Sequence, residues 1–192
     1  MGYLLGLKEY LDETYTNSIF DQALDSKQPW EFFLHGHRVI KARIIKNLKY
    51  DLRVVIEDLG EEELPKIQVK LLYSAGLSES LRPLIKVDKK TEALGLSPIL
   101  LPHQRYFIKN KSLFPLMKEK EVVFFTLLEG EIIRGIIAGF SRYDISVNVK
   151  GSMPVILLRH SIYDLRNKKA RCFLKSFQEE HRDWQKSDLF VP

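Results

Sequence analysis

Two stretches of this chain, residues 30–75 and 124–166, read as copies of one small β-rich unit, so the fold must bury two similar sets of strands. Gly36 and Gly130 lie 94 positions apart, each behind an aromatic-rich run, Trp30-Glu31-Phe32-Phe33-Leu34 and Phe124-Phe125-Thr126-Leu127-Leu128. Downstream, Lys49-Tyr50-Asp51-Leu52 answers Arg142-Tyr143-Asp144-Ile145 at a spacing of 93. The one-residue difference fits the turn, where Gly36-His37-Arg38 faces the shorter Gly130-Glu131. Between these anchors Val39-Ile40-Lys41-Ala42 matches Ile132-Ile133-Arg134-Gly135. Two copies at this spacing indicate duplicated units, because a solenoid needs more and shorter repeats.

The chain before the first copy is helix-like. Leu4, Leu7 and Leu11 sit at helical spacing, and Ile19, Phe20, Ala23 and Leu24 form a second stripe that Asn17-Ser18 can cap. Expected strands of the first copy are residues 30–34, 39–45, 53–56 and 67–73, with the acidic run 59–63 as a solvated loop. Residues 76–110 lose all period, yet hold Leu94, Leu96, Ile99, Leu100 and Leu101 among three prolines, which predicts an ordered connector. Residues 111–118 predict a short helix. The second copy then supplies strands at 122–128, 132–140, 145–149, 155–160 and 162–165. In the tail, 167–192, Phe173, Phe177 and Trp184 fall on one face of an expected helix that also carries Cys172.

Composition narrows the class. Thirty basic against twenty-five acidic residues leave a net charge of +5, which permits a nucleic-acid partner without demanding one. The single Cys172 excludes an intramolecular disulfide framework and a thiolate metal cluster. No apolar run is long enough for a membrane helix, and Met1-Gly2-Tyr3-Leu4-Leu5-Gly6 has neither a positive segment nor the length of a secretion signal. A cytoplasmic location with no membrane partner is the expectation. No phosphate-cradling loop, nucleophile–base pair or metal cluster stands out, so no enzyme activity, cofactor or metal is expected.

A short helix, then five strands with a glycine turn after the first and a basic-His step entering the last, resembles the Sm-like fold, and within it the bacterial RNA chaperone Hfq. The second copy carries the resemblance best. Lys111-Ser112-Leu113-Phe114 through Lys118-Glu119-Lys120 is similar to the family's N-terminal helix and its basic end. Glu129-Gly130 with Arg134-Gly135 resembles the first turn and the small residue of the bent second strand. Gly139-Phe140-Ser141-Arg142-Tyr143 resembles the segment ending in a base-stacking aromatic, and Leu158-Arg159-His160-Ser161-Ile162 the Tyr-Lys-His-Ala-Ile signature. The first copy is fainter: Ile19-Phe20-Asp21-Gln22-Ala23-Leu24 looks like the helix and Leu34-His35-Gly36 like the turn. Its last strand, Leu71-Leu72-Tyr73-Ser74, has Tyr73 where the second copy has His160.

The resemblance implies a mainly β protein with flanking helices and two tandem Sm-like domains, each a strongly bent five-stranded open barrel preceded by a helix. Residues 1–75 hold the degenerate copy and 111–166 the copy with the basic-His motif. It further implies single-stranded RNA as partner, U-rich by the family's preference, and a homotrimer forming a pseudo-sixfold ring. Tyr143 is expected to stack on a base, Arg159 and Arg142 to meet phosphate, and His160 to meet a base edge or 2′-hydroxyl, with Lys118 and Lys120 on a basic rim. Departures limit the carry-over: Leu158 replaces the signature tyrosine, Arg142 a glutamine, and Thr126 the aromatic that binds adenine-rich RNA on the family's opposite face.

Plainer readings stand beside these. Tyr143 can be a strand residue covering core, and Arg159-His160 a solvated edge. His35-Gly36-His37 can ligate a metal, but no third ligand is near in sequence, so a surface turn is the simpler reading. Asp51 and Asp144 read as bend residues satisfying backbone amides. The alternative function is a ring-forming protein-interaction scaffold that has kept the fold without RNA.

Overall fold

The computed structural model describes residues 4–174. Helices α1 (Leu7–Thr14) and α2 (Ile19–Ser26) lead into strands β1 (Trp30–Leu34), β2 (Val39–Asn47), β3 (Asp51–Ile56), β4 (Gly60–Pro65) and β5 (Val69–Ser74). The connector holds α3 (Ser78–Leu81), the two-residue β6 (Lys86–Val87) and α4 (Lys89–Glu92). Helix α5 (Asn110–Lys118) precedes β7 (Val122–Leu127), β8 (Glu131–Phe140), β9 (Asp144–Val149), β10 (Met153–Leu158) and β11 (Ile162–Asn167). The strands form one open antiparallel sheet in the order β11-β7-β8-β9-β10-β5-β1-β2-β3-β4, with β6 added beside β8. No helix among the described residues is long and apolar enough to cross a membrane.

Each half has the same internal order: the fifth strand returns to pair with the first, and the fourth lies at the opposite end. The long second strands break register at Ile44/Lys46 and Ile137/Gly139, positions 93 apart, and a register break bends a strand and strengthens its twist. On β8 the bent region needs a small residue. A Cβ on Gly135 would lie 2.5 Å from the Asn148 carbonyl oxygen of β9. The first half meets the same requirement with Ala42, 1% exposed.

The halves join where β5 pairs with β10, Leu72 opposite Ile156 and Leu71 opposite Leu157. Successive side chains on a strand point to opposite faces. Leu72, Ile156 and Leu158 therefore enter the core beside Phe32, Ile44 and Leu52, whereas Leu71 and Leu157 enter the core beside Phe125, Ile145 and Leu165. Each half thus lends side chains to the other's core, and each such leucine stabilises the fold by about 1.5–3 kcal/mol. Helix α2 packs on β2, and its first turn is capped by Ser18 Oγ, which accepts from Phe20 N at 3.2 Å. Helix α1 crosses to the second half, where Tyr10 packs on Phe114 and Phe140.

The connector is ordered from its first residues. Arg82 binds the buried Glu31 of β1 through two bonds, at 2.7 and 2.8 Å, and Ser78 and Tyr73 donate to the same carboxylate. Burial pushes the Glu31 carboxyl up, but these donors outweigh it and leave the carboxyl below its usual range.

Four sequence expectations change. The acidic run 59–63 is not a loop but most of β4, an edge strand on which only Leu64 is buried; charged residues suit such an edge. Residues Lys66–Gln68 and Arg159–Ser161 are not strand: each is a single 3-10 turn between the fourth and fifth strands of its half. Ile67, not Tyr73, is consequently the counterpart of His160, and Lys66 that of Arg159. Residues 167–174 are not helical either, because the chain reverses after β11 and Cys172 pairs with Arg166 as an isolated bridge. Phe177 and Trp184 lie outside the described residues.

Candidate functional site

Two turns distant in sequence meet at one end of the second half. Between β8 and β9, Ser141 Oγ accepts from Tyr143 N and Asp144 N at 3.1 and 3.2 Å, which closes the turn and turns Tyr143 outward, 55% exposed. The Tyr143 carbonyl accepts from Arg159 N at 2.9 Å, tying this turn to the one between β10 and β11. Arg142 N donates to Tyr15 O at 2.9 Å, so the α1–α2 loop braces it from behind. Asp144 accepts from Ile19 N at 3.3 Å, in keeping with a bend residue that satisfies an amide, and burial raises its carboxyl above the usual range.

Arg142, Tyr143, Arg159 and His160 line one cavity of about 400 Å³. The connector provides another wall with Arg105, Tyr106 and Phe107. Arg105 holds its own segment in an arch by donating to Ile99 O and Leu100 O at 2.9 and 3.0 Å. Tyr106 packs edge-on against Tyr163, and Phe107 is 53% exposed. The arginines Arg105, Arg142 and Arg159 share this cavity with the exposed rings of Tyr143 and Phe107. Sequence reading missed the connector's share because the segment has no period. The signal was present all the same: Arg105-Tyr106-Phe107 sets a cation beside aromatics, as Arg142-Tyr143 does.

The two central residues are held differently. Arg159 donates to Asn110 Oδ1 at 2.8 Å and lies 5.7 Å from the centre of the Phe140 ring. Its buried Nε has no hydrogen-bond partner and the side chain makes no salt bridge among the described residues. Burial lowers its pKa, opposed by Tyr15, Asp144 and Tyr10. His160 Nε2 is 2.9 Å from the Val69 carbonyl oxygen, so that nitrogen carries the proton and donates, leaving Nδ1 as an acceptor. Burial foremost, with Arg105 and His35 adding to it, pushes its pKa down to about 4, which keeps the ring neutral at pH 7.

Lys118 and Lys120 do not line the cavity. Both are exposed, one at the end of α5 and the other in the turn into β7. Thr126 is buried and presents no ring on the opposite face. A larger cavity of about 590 Å³, lined by Lys86, Phe124, Arg134 and Lys150, contains none of the six residues expected to contact RNA.

The first half keeps the backbone of this arrangement. Lys66 N donates to Tyr50 O at 2.9 Å, as Arg159 N does to Tyr143 O. Lys49 lies 5.1 Å from the Tyr50 ring centre, as Arg142 lies 5.5 Å from that of Tyr143. Tyr50 is 70% exposed. The chemistry is weaker: Ile67 takes the place of His160, and Lys66 spends its ammonium on the Leu48 carbonyl.

A second polar cluster marks the join of the halves. The fully buried Lys70 of β5 is paired with both Glu129 and Glu131 of the second half. Glu129 also accepts from Gly36 N at 2.7 Å and His37 N at 3.3 Å. Burial raises the Glu129 carboxyl, but Lys70 and these amides win and leave it lowered. Folding thus brings to the His35-Gly36-His37 turn the acidic partners the sequence does not place nearby, and oxygen or nitrogen atoms of His37, Glu129 and Glu131 lie within 4.8 Å of one another. The Lys70 ammonium already bridges the two carboxylates, so the cluster works as an ion-paired lock and a divalent cation would have to displace it.

No family model matches the chain, and no curated protein or solved structure is significantly similar to it.

Proposed function

We propose that this chain is an Sm-like protein related to Hfq that binds short single-stranded RNA in the cavity between the Arg159 turn and the connector. It would act there in RNA chaperoning or post-transcriptional regulation. The observation that carries the reading is Arg159: a half-buried guanidinium whose buried Nε has no hydrogen-bond partner, on a cavity shared with two more arginines and two exposed rings. A buried charge is costly without a partner, so such a site favours an anionic or strongly polar ligand. The exposed rings add that the ligand is flat. A nucleotide combines both properties. Its base stacks on Tyr143 or Phe107, a contact worth ~1–3 kcal/mol. Its phosphate meets Arg142 or Arg105. Arg159 donates to a base carbonyl, and His160 Nδ1 accepts from an imide N–H or a 2′-hydroxyl, a donor–acceptor set that fits uracil.

The repeated strand order, the paired register breaks and the paired turn bonds support two Sm-like units per chain. Three chains joined edge to edge, once their strand edges are free to pair, would then supply six units. Fluorescence anisotropy with a labelled oligouridylate tests the reading. Wild type is expected to bind, and Y143A/R159A to weaken binding by about 10- to 100-fold. Equal affinity of the two proteins would refute the cavity as the site.

The scaffold reading has one specific observation in its favour, the replacement of His160 by Ile67 in the first half. It requires that protein purified from cells carry no RNA and show an ordinary protein ultraviolet absorbance spectrum.

A further inference from the structure

At the free end of the second half, the outer edge of β11 is already paired, and its partner is the chain's own C-terminal segment. After a turn through Ala170 the backbone runs back antiparallel. Asn167 N donates to Arg171 O at 3.2 Å and Phe173 N to Leu165 O at 3.0 Å, with Arg166 and Cys172 opposite each other between these bonds. At the far end of the sheet, β4 pairs on one side only, with β3, among the described residues. An unpaired strand edge is a template for another strand.

The chain contains its own example of what fits. Strands β5 and β11 are counterparts 93 positions apart, as are β4 and β10, and β5 pairs with β10 inside the chain. Moving the observed partners Leu72 and Ile156 across that offset sets Leu165 opposite Glu63 of a second copy. Leu71 and Leu157 transform likewise into Asp164 opposite Leu64 of that copy. Leu165 is the residue whose carbonyl Phe173 holds. The charges also match: β4 carries Glu61, Glu62 and Glu63, while the reversal after β11 carries Lys168, Lys169 and Arg171.

We propose that residues 171–174 and the β4 strand of a second copy are alternative occupants of the β11 edge. Release of the tail switches the chain from single copies to edge-to-edge assembly. This rests on the two-unit reading of the sheet and not on RNA binding, so it is tested with RNA-free protein and read only as mass in solution.

F173P removes the amide that holds Leu165, and sedimentation velocity is expected to show a shift to multiples of the chain mass relative to wild type. Adding E61K/E63K, on the exposed face of β4, is expected to return the protein to single chains. A folded F173P protein with the wild-type mass distribution, or one whose assembly ignores E61K/E63K, overturns the proposal. Should circular dichroism show F173P unfolded, R166C decides. Its thiol faces Cys172 across a non-hydrogen-bonded antiparallel pair, close enough for a disulfide. R166C also removes the Arg166 Nη1 bond to the Ala170 carbonyl that holds the reversal at 3.0 Å, so the reduced protein has a loosened tail and should assemble. After oxidation with diamide, which takes up the two thiol hydrogens, it should run as single chains. Identical mass distributions in the two states overturn the proposal equally.

Discussion

Arg159 is fixed by its own backbone amide and by the Asn110 side chain rather than by a carboxylate, and that leaves its charge available to a ligand. Arg142 differs, being exposed beside Tyr143, and in the proposed site it is the group that would meet phosphate. R142A is therefore expected to flatten the dependence of log affinity on log salt by about 0.7, the loss of one phosphate contact to a single strand, as measured by titrations at several ionic strengths. The paired tyrosines give an internal control. Y143A should weaken oligouridylate binding more than Y50A, because Tyr50 is without a histidine or an arginine in the neighbouring turn. His160 makes a separate prediction. Its folded pKa of about 4 lies below its ordinary value of 6.5, so between these the unfolded chain binds the proton and the folded one does not. Its contribution is complete above pH 6.5 and is lost as pH falls towards 4, by about 1.4 kcal/mol for each tenfold change in proton affinity. Urea midpoints of wild type should fall across that window. H160Q, which keeps a donor for Val69 but cannot titrate, should fall less steeply; an identical slope contradicts the assignment. The pairs Arg142-Tyr143 and Arg159-His160 were legible because each is a cation beside a ring within a recognisable β-unit. Arg105 was not, since its place beside them depends on how an aperiodic segment arches.

At the scale of elements, the β5–β10 join has only two ladder positions in register, so side chains do much of the holding. Lys70 is the central one. K70M keeps the volume but leaves the half-buried Glu129 and the buried Glu131 without their cation, and is expected to destabilise the protein by about 3–5 kcal/mol in urea unfolding. A loss below about 1 kcal/mol, the range of an exposed pair, would show that the lock is solvated and dispensable. The strands facing the two cores could be read from alternation and β-branched content, as in β3 with Leu52, Val54 and Ile56 all buried. Strand β4 could not. Three consecutive glutamates look like solvent, and they are strand only because β3 offers them a ladder along its whole length. The single 3-10 turns at Lys66–Gln68 and Arg159–Ser161 were hidden for another reason: each runs straight into an apolar fifth strand, β5 or β11, and Ile67 and His160 read as part of a continuous strand.

Over the whole molecule, the fold is two similar halves in one continuous sheet, stitched by shared leucines, by the Lys70 lock and by α1 reaching across to Phe140. The like strand order of the two halves was legible because the 93-residue offset is carried by strongly apolar or aromatic anchors. The join between halves was not, since nothing local to Leu71 or Leu157 tells which strand each will meet. The same offset that aligns the halves also aligns their turns, and only the second half surrounds its exposed tyrosine with arginines, a neutral histidine and a connector wall. The most direct measurement is photocrosslinking of a 4-thiouridine-labelled oligouridylate to the intact protein, with the modified residues located by mass spectrometry. Crosslinks are predicted at Tyr143 and in the segment holding Arg105 and Phe107. Crosslinks confined to other surfaces, or none at concentrations where RNA binds, would contradict the account.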